Sequence, residues 1–274
     1  SAAAQDQPNL TIVDRIKAEA FDRSKVMDHL YHITEVNGPR LTGSPQFERA
    51  ANWTIDRLKG FGVQNVHVER WPFGKAWSVE QSSVELISPR YAPLNAAPLA
   101  WCASTPGAIE GEPILAPFET SFRQGPKKIK EEFDAFAAKW SGKLRGRIVM
   151  ISKPRTPRPQ TTAQFRRFTD ADLSDLAKSP DPAMKLATTK IEDLEWPEAP
   201  DDVAKFFASL PNALMEQVYD LYDRFAEQRG EFFAREGAAA VLLTDQRSHE
   251  GMVFAEAAGG FKKSATLAPP TFVL

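Results

Sequence analysis

Apolar residues recur at helical spacing from the start of the chain. Ile12, Ile16 and Ala20 form one run, and Val26, Leu30, Ile33 and Val36 a second, with Ser24 placed as its N-cap. Two helices are predicted to open the chain. After the turn Asn37-Gly38-Pro39-Arg40, Ser44 and Pro45 read as an N-cap followed by a proline at the first helical position. Phe47, Ala51, Ile55 and Leu58 then form the stripe of a third helix. Gly60 or Gly62 ends it by taking the left-handed conformation, and the alternation from Val63 to Val68 predicts a strand.

Beyond about residue 76 the pattern shifts to short β-prone runs at Ser83–Ile87, Leu99–Ala103, Pro113–Ala116, Arg147–Ser152 and Ala239–Thr244. An amphipathic helix is predicted over Lys127–Trp140. A long helical stretch follows from Val203 to Arg235, which Pro211 should break or kink. The end of that helix, Gly237, and the apolar run 238–243 read as a helix delivering a buried strand. The expected class is α/β or α+β, with a helical segment over residues 1–76 and a β-rich part over 77–274 that carries an insertion at about 154–225.

Composition narrows the function. The 274 residues carry a formal charge of −2, which supplies no bulk attraction for nucleic acid or an anionic membrane. No stretch approaches the roughly 18 apolar residues of a membrane span, so a soluble chain with no membrane partner is expected. The single cysteine, Cys102, excludes an intrachain disulfide and a thiolate zinc cluster. The small residues ahead of Gln5-Asp6-Gln7-Pro8 resemble the stub left by signal-peptide removal and read equally as a frayed terminus; the first reading makes the protein secreted or periplasmic.

Charge is unevenly placed along the chain. Lys143–Arg167 holds eight basic residues and no acidic one, and Asp170–Asp202 holds ten acidic residues against three lysines. Two readings follow: mutual neutralisation of solvated segments, or a basic arm aimed at an anionic group such as a substrate carboxylate.

A self-sufficient enzyme of this size should show a reactive constellation, and most of the common ones are missing from the sequence. There is no Gly-x-Ser-x-Gly elbow and no phosphate-cradling loop, and the Gly60-x-Gly62 pair falls at a helix end, where its amides cannot form a dinucleotide site. Of the four histidines, His29 and His32 stand three apart beside Asp28. That spacing could present two imidazoles to a metal, against the simpler reading of a packed His32 and a solvated His29. His67 stands alone, and His249 reads as part of a surface loop. Cys102, in an apolar run without a neighbouring base, reads as an inert buried thiol.

Several segments nevertheless resemble one family. Val36–Ser44 (VNGPRLTGS), the amphipathic helix after it and Gly62–Glu69 (GVQNVHVE) look like the opening of the bi-zinc exopeptidases related to plasma glutamate carboxypeptidase. Trp101–Gly107, Gly111–Leu115, Gly142–Ile151 and Phe232–Thr244 are similar too, and the last two resemble the core signatures of a protease-associated domain. The resemblance implies that residues 1–76 belong to the edge of a catalytic α/β lobe and that residues 77–274 form a lid inserted after it. It also implies zinc ligands, beginning with a His-x-Asp, in polypeptide beyond the segments matched here.

The implied chain is therefore the non-catalytic N-terminal half of a secreted aminopeptidase or carboxypeptidase. It binds no cofactor itself and has no catalytic or metal residue of its own, while the full-length parent carries two zinc ions. Its partners would be the missing C-terminal half and a peptide substrate, with a homodimer as a further possibility. Arg40, Ser44, Arg155, Arg158, Arg166 and Arg167 are the substrate-facing candidates, against a purely structural role for loop 37–44 as a helix-capping turn. The competing class is a stand-alone protease-associated module that binds a protein or peptide and has no enzymatic activity.

Overall fold

The computed structural model describes residues 8–118, 125–153, 167–178, 190–191, 194–197, 206–207, 210–245 and 251–274. They form a mixed α/β protein that divides into two compact units after Ser78.

In the first unit, α1 spans Leu10–Phe21, and the Asn9 side chain accepts from the Ile12 amide at 3.3 Å to cap it. No residue of α1 is buried. The second run forms α2, Val26–Tyr31, and then widens into a π-helical turn over His32–Val36 instead of staying α-helical to its end. Side chains from the following loop take carbonyls of that turn: Asn37 Nδ2 donates to the His32 carbonyl at 2.7 Å, and Arg40 Nη1 donates to that of Ile33. Ser24 does not occupy the cap position. Lys25 does, and the Ser24 hydroxyl accepts from the Val26 amide at 3.4 Å.

Helix α3, Pro45–Gly60, starts where the sequence places it, with Pro45 in its first turn and the Ser44 hydroxyl accepting from the Phe47 amide at 3.1 Å. Gly62, at φ +83°, lets the chain leave the helix. The strand expected over Val63–Val68 is absent. Alternation prepares a face, but a strand also needs a neighbour for its backbone groups, and no described residue pairs with this segment.

The second unit contains a small antiparallel pair, β1 (Glu85–Leu86) with β2 (Ala92–Pro93), and a five-stranded sheet. That sheet comprises β3 (Ala97–Pro98), β4 (Ile114–Leu115), β5 (Ile148–Met150), β6 (Ala240–Leu243) and β7 (Thr271–Val273), in the order β3-β7-β6-β5-β4. Neighbours from β4 to β7 run parallel, and β3 joins β7 antiparallel. The run Leu99–Ala103 makes only isolated bridges, Ala100 with Ala257 and Cys102 with Ala268. Trp101 between them sits at φ +58°, a left-handed conformation that interrupts a ladder.

Helix α4, Pro126–Trp140, links β4 to β5. Helix α5, Asp170–Leu176, follows β5 in the chain, and α6, Asn212–Glu236, leads into β6. The helical stretch expected from Val203 is broken at Pro211, as the sequence predicts: Phe206 and Phe207 are helical, Leu210 and Pro211 are not, and α6 starts afresh at Asn212 with Pro211 as its N-cap, while residues 201–205 and 208–209 lie outside the described residues. Gly237, at φ +70°, closes the helix and turns the chain into β6.

Phe136 of α4 and Phe225, Phe232 and Phe233 of α6 pack with Val149 and Val241 of the sheet to make the core. The Phe118 and Phe136 rings lie 4.9 Å apart, and Phe136 meets Phe232 and Phe233 edge-on at 5.7 and 5.9 Å. This unit is stabilised by burial of large aromatic side chains between two helices and a mostly parallel sheet.

Candidate functional site

Of the six candidate residues, Arg40, Ser44 and Arg167 lie among the described residues. Ser44 is 2% exposed and its hydroxyl is engaged as the cap of α3. Arg40 is half-buried and donates to the carbonyls of Ile33 and Gly38, tying loop 37–44 to the π-helical turn. Asn37 is 6% exposed and serves the same junction. Loop 37–44 is therefore built from side chains that satisfy helix ends, as a capping turn requires. Arg167 is exposed, and Arg155, Arg158 and Arg166 lie outside the described residues. The structure thus brings Arg40 and Ser44 into one loop of the first unit and leaves Arg167 in the second.

An open apolar groove of about 400 Å³ lies beside that loop, within the first unit. Ile33, Phe47, Ala51 and Leu58 line it with Val66 and Val68, and Arg40, Thr54 and His67 supply its polar atoms. Thr54 spends its hydroxyl on the Ala50 carbonyl at 2.8 Å. The groove holds no pairing of nucleophile with base.

The histidine pair is organised around an indole. His32 stacks on Trp53 at 5.1 Å with its Nδ1 2.8 Å from the Asp28 carbonyl oxygen, while Arg57 lies over the same indole at 5.4 Å and reaches the Asp28 carboxylate at 3.3 Å. His29 is half-buried rather than solvated and faces Trp53 and Phe61 at 5.9 and 5.8 Å. His32 thus packs on α3. Among the described residues no group of three or more His, Cys, Asp or Glu is placed to hold a metal ion, and His249 lies outside them.

In the second unit the carboxyl ends of the parallel strands are joined by a reciprocal bridge. The Ser152 hydroxyl accepts from the Thr244 amide at 2.9 Å and donates to its carbonyl at 3.3 Å. Open α/β sheets bind ligands at this edge, but the committed Ser152 hydroxyl acts here as a brace. Burial raises the Cys102 thiol above its ordinary value, with a hydrogen bond to the Thr271 backbone acting the other way, so the group is held as an unreactive thiol.

Two charged positions on α6 escaped the sequence reading. Burial pulls the Arg229 guanidinium below its ordinary value, and the Glu256 carboxylate opposes this. Burial raises the Asp223 carboxyl, Asp220 adds to the rise, and Lys262 counters it. A signal for Arg229 was present: it stands four residues after Phe225 and three before Phe232, on the buried side of an amphipathic helix.

No family model matches the chain, and no solved structure matches it. The sequence is nonetheless distantly related to a peptidase. Over 120 residues it is 28% identical to carboxypeptidase Q of Bos taurus, an alignment that covers 43% of this chain and 24% of that protein. The matched part thus spans about a quarter of the length of that curated relative. Among the described residues no helix is long and apolar enough to cross a membrane.

Proposed function

We propose that this chain is the non-catalytic N-terminal half of a secreted zinc-dependent exopeptidase, with the first unit as the edge of the catalytic lobe and the second as a protease-associated lid. The observation that carries this reading is the missing core of the first unit. Only Asn37, Ser44 and Ala50 are buried among residues 8–78, while Phe21 and Trp71 are 81% and 67% exposed. Ordering each residue costs about 1–2 kcal/mol of backbone entropy, and three buried residues cannot offset that. This favours further polypeptide over the unit's apolar surface, and the distant relationship to a peptidase supports reading that polypeptide as the rest of a catalytic lobe.

A pair of zinc ions in such an enzyme activates water and polarises the scissile carbonyl. The described residues of this chain do not offer the ligands, so no step through the metals is assigned to it. Its own part is to support the lobe, close over the cleft, and turn the basic residues Arg155, Arg158, Arg166 and Arg167 toward a substrate carboxylate. The stand-alone binding module draws support from the self-contained core of the second unit, but it leaves the first unit's apolar surface without a purpose.

The test is to express the complete gene product beside this chain alone and to assay release of amino acids from dipeptides. Hydrolysis by the complete product only is expected. Arg158→Ala or Arg166→Ala in that product should raise KM for a carboxylate-bearing substrate about tenfold, the loss of one charge-assisted hydrogen bond. Turnover by residues 1–274 alone, or a gene that stops at Leu274, would refute the proposal; unchanged kinetic constants would remove the arm from it.

A further inference from the structure

We draw no further inference here: the strongest candidate, the uncovered apolar surface of the first unit running from α1 through the groove along α3 to Trp71, belongs to the site already described, and nothing in the structure shows what else covers it.

Discussion

Gly230 lies against Ala258 so closely that a Cβ on it would stand 2.8 Å from the Ala258 carbonyl oxygen and 3.0 Å from the Ala268 Cβ. A glycine in the middle of a 25-residue helix ordinarily costs about 1 kcal/mol relative to alanine. Here the close approach of α6 to residues 258–268 reverses the sign. Gly230→Ala is expected to destabilise the second unit by about 1–3 kcal/mol through overpacking against backbone that cannot withdraw. Denaturant titration followed by tryptophan fluorescence checks it, and a stabilised variant would show that the contact is loose.

Loop 37–44 is held by Arg40 and Ser44 in different ways, and the two substitutions should differ accordingly. Ser44→Ala removes one cap from α3 and should cost about 1 kcal/mol of helix stability. Arg40→Ala frees the carbonyls of Ile33 and Gly38 together and should cost more, about 1.5–3 kcal/mol, because a charged donor is lost. Thermal melts by circular dichroism on the complete gene product separate these magnitudes. Melts identical to the parent would mean that neither side chain braces the turn.

The raised Asp223 carboxyl has a defined sign in pH-dependent stability. With its folded pKa above the unfolded value near 3.9, the folded state binds the proton more tightly, so this group's contribution falls as pH rises from about 4 through the folded pKa. Asp223→Asn should therefore melt at a higher temperature than the parent at pH 7, with the difference closing toward pH 4. The gain is small because the residue is exposed. A gap that widens on acidification would contradict the assignment.

The contrast between the two units predicts their hydrogen exchange. In the isolated chain, amides of α1, α2 and α3 should exchange orders of magnitude faster than those of β5, β6 and β7, because the helices lack buried apolar cover while the strands lie in the aromatic core. In the complete gene product the helices should become protected. Mass-spectrometric exchange reads both states, and equal protection in the isolated chain would mean that the first unit is stable without a cover.

Local signals were legible wherever a few neighbouring residues decide the outcome. Ser44 and Pro45 mark the start of α3, the apolar spacing of Ile129, Phe133 and Phe136 outlines α4, and Gly237 ends α6, since caps, stripes and left-handed turns act within one or two helical turns. The run 238–243 likewise announces β6 by its unbroken apolarity. Tertiary structure alone decided the order and direction of the strands, the reciprocal Ser152–Thr244 bridge across 92 residues, and the partial burial of Arg229. It also decided that Val63–Val68 stays without a ladder and that Arg40 binds backbone carbonyls. Those outcomes depend on which distant group arrives opposite, and a hydrogen bond needs both of its partners, whereas a pattern along the chain describes only one.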